Sequence, residues 1–158
     1  MYKEFLDFLT TEFTVLLTAA LPIIELRGAI PVGISLGLSP INATIISLIG
    51  SMIPVPFILF TIRPIFNYLK TTRMFEKIVI KITSRSLAKS GNIQKYGVLG
   101  LIIFVAIPLP GTGVWSGSLA AALLDIRFKW AFPAILIGNI IAAIAIMMLS
   151  YGFFQVIK

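Results

Sequence analysis

The stretch Pro22-Ile-Ile-Glu25-Leu-Arg27-Gly28-Ala-Ile-Pro31 places an acidic and a basic side chain inside apolar sequence, between two prolines and beside a glycine. The uncharged flanks, residues 13–24 and 29–38, are each too short for the ~20 apolar residues of a membrane-spanning helix. Because proline and glycine interrupt helices, the stretch predicts a re-entrant hairpin that turns at Glu25–Gly28 and leaves the membrane on the side it entered. Ionisable side chains at that depth are costly and usually functional.

The composition is that of an integral membrane protein, and we expect one transmembrane domain over residues 1–158. Hydrophobic residues make up 58% of the chain and charged residues 12%, against a soluble norm of about 25% charged. The absence of cysteine and histidine excludes disulfides, Cys/His metal centres, cysteine nucleophiles and histidine proton shuttles. No nucleotide-binding motif is present. We therefore expect no cofactor, no metal and no enzymatic activity.

Two segments are long and apolar enough to cross the bilayer. Residues 41–62 carry no charge and contain Pro54 and Pro56, which predict a kink, and residues 130–154 form the second span. Residues 1–12 are mildly acidic and rich in aromatic and aliphatic side chains, so they predict a helix that begins in the membrane interface rather than a cleaved signal peptide.

All of the net charge lies in the connector of residues 63–95, which holds eight basic residues and one acidic residue, a sum of +7 equal to that of the whole chain. The positive-inside rule predicts that this connector is cytoplasmic. Basic side chains recur there every fourth residue and so share one face of an amphipathic helix that would lie on the anionic inner leaflet. These membrane-surface residues are Arg73, Lys77, Lys81, Arg85 and Lys89. Membrane lipid explains this charge better than nucleic acid, which we do not expect as a partner.

The second half of the chain repeats the order of the first. A short apolar arm, residues 98–107, leads to Pro108-Leu-Pro110-Gly111-Thr112-Gly113 and a second short arm, residues 114–124. Pro22 corresponds to Pro108, and the ends of the two hairpins, Leu38 and Leu124, correspond at the same spacing. Each half is thus a hairpin followed by one long helix.

The parity of the crossings then predicts two inverted repeats, residues 1–62 and 96–158, joined by the basic connector. The first hairpin returns to its starting side and the next helix crosses the membrane, so the second hairpin starts from the opposite side. Inverted repeats with broken helices are typical of secondary transporters, whose sites lie near the bilayer midplane. A topology with whole spans in place of the hairpins is the competing interpretation.

The motifs Glu-Leu-Arg-Gly-Ala-Ile-Pro at 25–31 and Pro-Leu-Pro-Gly-Thr-Gly at 108–113, followed by Trp115-Ser-Gly, resemble the small multi-drug export protein family. That family looks related to the DedA/VTT superfamily, which includes undecaprenyl-phosphate translocases and lipid scramblases. The resemblance implies two membrane hairpins and an amphiphilic substrate. DedA proteins carry an arginine just after the Pro-Gly of the second hairpin, where this chain has Thr112, so Arg27 would have to take its place.

Both hairpin tips suit substrate or proton binding. Backbone N–H groups where a helix restarts after a break attract anions, and arginine binds phosphate through two parallel hydrogen bonds. A carboxyl removed from water, such as Glu25, is suited to proton exchange. The candidate site residues are Pro22, Glu25, Arg27, Gly28, Pro31, Pro108, Pro110, Gly111, Thr112 and Gly113. Asp125 and Arg127 are included as weaker candidates, for which plain interfacial charges are the simpler interpretation.

Three functional hypotheses follow. The first is a transporter of an amphiphilic anion such as a lipid-linked phosphate, coupled to protonation of Glu25. The second is a proton-coupled exporter of cationic drugs, and the third is a non-transporting membrane scaffold. In each case we expect a multi-pass protein of the inner (cytoplasmic) membrane. Its expected partners are membrane lipids, and a homo-oligomer is compatible with each hypothesis.

Overall fold

The computed structural model describes residues 2–72, 76–89, 96–109 and 111–157, and within these ranges the secondary structure is helical, without strands. This agrees with the all-α prediction. The helices are α1 (Tyr2–Ala20), α2 (Glu25–Ser35), α3 (Pro40–Met52), α4 (Pro54–Lys70), α5 (Glu76–Lys89), α6 (Val98–Ala106), α7 (Val114–Leu123) and α8 (Phe128–Ile157). The chain forms two compact units, one of residues 1–53 and 140–158 and the other of residues 54–139.

In the first unit, α1 and α2 form a helical hairpin, but its turn lies earlier than the sequence predicts. The turn occupies Leu21–Ile24, whereas the Glu25–Gly28 segment forms the first turn of α2. The physical reason is that Gly28 donates its N–H to the Ile24 carbonyl at 3.1 Å, so the glycine continues a helix instead of breaking it. Pro31 also lies inside α2. The predicted position of the turn, Glu25–Gly28, is therefore wrong, and the turn lies four residues earlier.

Small residues let α1, α2 and α3 pack closely. A Cβ added to Gly33 would lie 2.9 Å from the Cβ of Ala43, and one added to Gly50 would overlap the Leu16 carbonyl oxygen. A buried apolar cluster joins the three helices and consists of Val15, Ala19, Ala29, Leu38 and Ala43. At the start of α3 the Ser39 hydroxyl accepts the Asn42 N–H at 3.2 Å, an N-cap that fixes where the helix begins.

The predicted 41–62 span consists of α3 and α4, which meet at Ile53. Pro54 has no N–H to donate to the preceding turn, so the regular helix is interrupted there, close to the predicted kink. Residues 40–69 taken together are long and apolar enough to cross a membrane, as is the Phe128–Phe153 part of α8. In the most apolar window of each, only 33% of the residues are buried within the protein. Most of their surface is therefore left for lipid or another protein to cover.

In the second unit, α6 and α7 flank the second Pro/Gly stretch, and their ends agree within one residue with the predicted arms 98–107 and 114–124. Close packing again depends on glycine. A Cβ on Gly117 would lie 2.6 Å from a Val105 methyl group, and one on Gly138 would lie 2.6 Å from the Ile102 carbonyl oxygen. That the two hairpins are re-entrant, and that the halves are inverted repeats, stays a prediction.

The basic connector includes α5, where Lys77, Lys81 and Arg85 lie four residues apart and are all exposed. Arg73, the first residue of the predicted stripe, lies outside the described residues. Lys89 ends the helix. Ile78, predicted to lie on the opposite, apolar side, is 53% exposed and is thus available to enter a lipid surface.

Candidate functional site

Glu25 opens α2 in an unusual backbone conformation. Its φ angle is +50°, a region that residues other than glycine adopt rarely, and its side chain is 7% exposed. Its N–H donates to the Leu21 carbonyl at 3.0 Å, which holds the end of the turn against the beginning of the helix. Backbone strain of this kind persists only where the surrounding structure fixes it, and it is concentrated at functional sites.

Glu25 and Arg27 interact electrostatically in the first turn of α2. Two residues that are two apart on a regular helix point in different directions, so a pair was expected only if the backbone departs from helical geometry at this point. The backbone departs at Glu25, and the carboxylate interacts electrostatically with the half-buried Arg27 guanidinium. The two charges therefore lie at the beginning of α2, and their role in binding a substrate or proton stays a prediction.

The pair lies beside an apolar cluster. Leu26 and Ile30 of α2 pack against Ala143 of α8. Partly buried Ile34, Leu48 and Ile146 cover this cluster. Electrostatic attraction between opposite charges is stronger in apolar surroundings than in water.

One face of α3 adds buried hydroxyl groups to the same unit. Ser47 is 0% and Ser51 is 1% exposed. Ser51 donates its hydroxyl to the Leu48 carbonyl at 3.0 Å, whereas the Ser47 hydroxyl has no hydrogen-bond partner among the described residues. The small-xxx-small spacing of these serines is typical of close helix contacts.

The second tip has the predicted helix restart. Gly113, at φ +148°, immediately precedes α7, and the first helical hydrogen bond runs from the Gly117 N–H to the Gly113 carbonyl at 2.8 Å. The Thr112 hydroxyl lies 2.8 Å from both the Ile107 and the Leu109 carbonyl oxygens. Its proton therefore stabilises the loop itself, which is a different role from the ligand donor expected from the sequence. Pro110 lies outside the described residues.

The two tips belong to different units. Pro22, Glu25, Arg27, Gly28 and Pro31 are in the first unit. The second unit contains Pro108, Gly111, Thr112 and Gly113, of which Pro108 and Gly111 are exposed. In the first unit, Glu25 and Arg27 interact electrostatically.

Arg63 is a structural residue that sequence reasoning missed. From α4 it donates to the Ile126 carbonyl at 2.8 Å and to the Ala122 carbonyl at 3.3 Å, and its Nε lies 3.5 Å from an Asp125 carboxylate oxygen. It thereby binds the Ala122 carbonyl in the last turn of α7, where a cation is favoured, and the Ile126 carbonyl in the loop that follows. Asp125 is 86% exposed at φ +56°, and Arg127 is exposed. Asp125 thus has a contact with Arg63 that the sequence did not predict, and whether it is a site residue stays a prediction.

No group of histidine, cysteine, aspartate or glutamate suited to a metal ion occurs in the part of the chain that the structure describes.

Comparison with known families identifies a match to the family model for small multi-drug export proteins over residues 25–145. The matched region begins at Glu25, so it contains residues 25–31 of the first Pro/Gly stretch and the whole of the second. It covers most of the chain. The chain belongs to the small multi-drug export protein family. The resemblance seen in the sequence is therefore confirmed, while its extension to the DedA/VTT superfamily stays a prediction. No curated protein and no solved structure matches this family member.

Family membership and the two apolar helices together identify a membrane protein. Glu25 and Arg27 lie at the first residues of the region that the family model matches. They carry opposite charges, and Glu25 is buried while Arg27 is half-buried.

Proposed function

We propose that this protein is a proton-coupled membrane transporter whose substrate is an amphiphilic anion, such as a lipid-linked phosphate, and that Glu25 and Arg27 are its central residues. The observation that carries the proposal is Glu25 itself, buried at 7% exposure with a φ angle of +50° and in electrostatic contact with Arg27. Transport as the general activity agrees with the export function for which the family is named.

Energetics favour a functional over a purely structural pair. Removing two charges from water is expensive, and a buried ion pair often stabilises a protein no better than apolar residues of the same size. The packing of α2 against α3 already has apolar and small residues to hold it. A charged pair retained in such a place is therefore best explained by binding a charged ligand or exchanging a proton.

Arg27 supplies the preference for an anion. Its planar guanidinium can hold a phosphate or carboxylate through two parallel hydrogen bonds, and its charge is permanent. When a proton neutralises Glu25, Arg27 loses its counter-charge and becomes available to an anionic ligand. Protonation of Glu25 and anion binding by Arg27 would thus favour each other, which is the basis of coupled transport in the proposal.

The second candidate function is proton-coupled export of cationic amphiphiles, which the family name favours. In that case the Glu25 carboxylate binds either the proton or the cation, and Arg27 competes with the substrate. The two functions therefore make opposite predictions for the removal of the positive charge.

The test uses Arg27→Lys and Arg27→Ala in proteoliposomes loaded with either a fluorescent polyprenyl phosphate or a fluorescent lipophilic cation. We expect Arg27→Lys to slow movement of the phosphate, because lysine keeps the charge and loses the planar fork, and Arg27→Ala to abolish it. The control is Arg127→Ala, which removes an exposed arginine of the second unit and should transport normally. Faster movement of the cation in Arg27→Ala, with no phosphate transport by the unmodified protein, would establish the second function.

A further inference from the structure

The Ser47 hydroxyl is a buried polar group that the function described so far does not use. It is 0% exposed, and its oxygen has no hydrogen-bond partner among the described residues. Buried polar side chains almost always bind a protein group or an ordered water molecule. Ser47 therefore points to a small polar ligand inside the first unit.

The packing of α2 against α3 relates Ser47 to Glu25. The two helices are antiparallel across the short connection 36–39, and Gly33 meets Ala43. Counting one helical turn from the Gly33–Ala43 contact in each helix places Ser47 opposite Ala29. Counting one more turn places Ser51 opposite Glu25. By this register, the hydroxyl groups of α3 lie between the Ala43 level and the level of the Glu25 carboxyl group.

The residues packed around α3 at this level are small and uncharged. Ala19 and Ala29 are fully buried small residues of the adjacent helices. Gly50 lets the Leu16 carbonyl of α1 approach the same side of α3 that carries Ser47. A water molecule needs two to four polar partners in a small cavity, and two hydroxyl groups with a nearby carbonyl meet that need.

Ionisable groups around Glu25 are few. Helix α3 has none, α1 has none after Glu12, and residues 140–157 of α8 contain only Tyr151. On α2 itself Arg27 is the neighbouring charge. Because Arg27 balances the carboxylate, a neutral ligand suits the space beside the hydroxyl groups better than a metal cation.

We propose that Ser47 and Ser51 bind an internal water molecule that delivers protons to Glu25. The water gives a proton to the carboxylate and takes one up from the solvent side, so that only O–H bonds are exchanged. The inference rests on the proposed role of Glu25 as the coupling group. It assigns to α3 a proton path that is separate from the substrate contacts of Arg27.

The experiment follows Glu25 protonation by time-resolved infrared spectroscopy of the purified full-length protein after a pH jump. The carboxyl band is identified by its loss in Glu25→Gln. We expect Ser47→Ala to slow the appearance of this band by about tenfold, the effect of losing one hydrogen-bonded link. Ser51→Ala should do the same. Thr44→Ala is the control on the same helix, because Thr44 already donates its hydroxyl to the Pro40 carbonyl at 2.7 Å, and its rate should not change.

Thermal unfolding gives an independent result. If Ser47 binds water, Ser47→Ala should unfold at the same or a lower temperature. A higher unfolding temperature together with unchanged protonation rates in both serine variants would overturn the proposal, since the alanine would then have removed an unsatisfied hydroxyl. Equal slowing in Thr44→Ala would overturn it as well. The infrared experiment measures protonation of Glu25 and does not depend on transport. Unaffected transport activity in Glu25→Gln would therefore refute the proposed function, whereas the infrared rates alone test the water path.

Discussion

Glu25 combines a rare backbone conformation with a buried carboxyl group. Both features are unfavourable for a glutamate. Glycine would relieve the positive φ angle, and an apolar side chain would suit the neighbouring Leu26 and Ile30, yet neither is present. The residue type is thus unfavourable for the local structure on two grounds. A residue that disagrees with its surroundings in this way is expected at a functional position.

Replacement of Glu25 by glutamine tests this role at the scale of one residue. Glutamine mimics the protonated carboxyl, so the variant should insert and bind substrate while losing both the pH dependence of transport and accumulation against a gradient. The measurement is uptake into proteoliposomes over a range of pH, with and without an imposed proton gradient.

The matched control is Glu12→Gln, which changes a half-buried glutamate of α1 outside the family match. Its transport should keep the pH dependence of the unmodified protein. Unchanged pH dependence in Glu25→Gln would exclude this residue as the coupling group. Failure of that variant alone to accumulate in the membrane would instead favour a structural Glu–Arg lock.

At the scale of helices, the sequence predicts some boundaries well and others poorly, for physical reasons. The boundaries of α6 and α7 agree with the predicted arms because Pro108, Gly111 and Gly113 interrupt the helix with no competing signal nearby. In the first hairpin Pro22, Gly28 and Pro31 give conflicting signals, and only Pro22 lies in the turn. The positive φ angle of Glu25 could not be predicted, since glutamate has no preference for that conformation.

The contact of α1 with α3 gives a second prediction. A Cβ on Gly50 would overlap the Leu16 carbonyl, a backbone atom that cannot rotate away, so Gly50→Ala should lower the free energy of unfolding by about 1–3 kcal/mol. Gly152→Ala is the control, because Gly152 lies in α8 with no atom within 4 Å of the added Cβ. That change should be neutral or stabilising by up to about 1 kcal/mol. Thermal unfolding in detergent compares the two, and equal stabilities would contradict the close packing.

The contact of α4 with α7 gives a third prediction. Arg63→Ala removes one hydrogen bond to the Ala122 carbonyl in the last turn of α7 and one to the Ile126 carbonyl in the loop after it. The change should cost about 1–3 kcal/mol, while the ion pair with the exposed Asp125 adds little. Sequence reasoning could not find this role, because Ala122 and Ile126 accept through backbone atoms far along the chain. Chemical unfolding of Arg63→Ala beside Arg127→Ala is the measurement. If the exposed Arg127 proved equally important, general loss of positive charge would be the better explanation.

At the scale of the whole molecule, large exposed side chains are the dominant feature of the surface. Phe57 and Phe60 on α4, and Met148 and Leu149 on α8, are all more than 60% exposed. A soluble protein would bury such residues, whereas the hydrocarbon core of a membrane covers them at no cost. The same surface is compatible with spanning helices and with re-entrant hairpins, so the topology has to be measured.

The chain has no cysteine, so single cysteines can be introduced without altering a native residue of that type. If the first hairpin is re-entrant, cysteines at positions 12 and 39 should react with an impermeant maleimide from the same, outer side. The basic connector is expected in the cytoplasm by the positive-inside rule, so cysteines at positions 70 and 129 should react only after the membrane is opened. A cysteine at position 146, on the partly buried face of α8, serves as an unreactive control. Labelling of positions 12 and 39 from opposite sides would make α1 and α2 a complete crossing, and the two halves could then no longer be inverted repeats of hairpin and span.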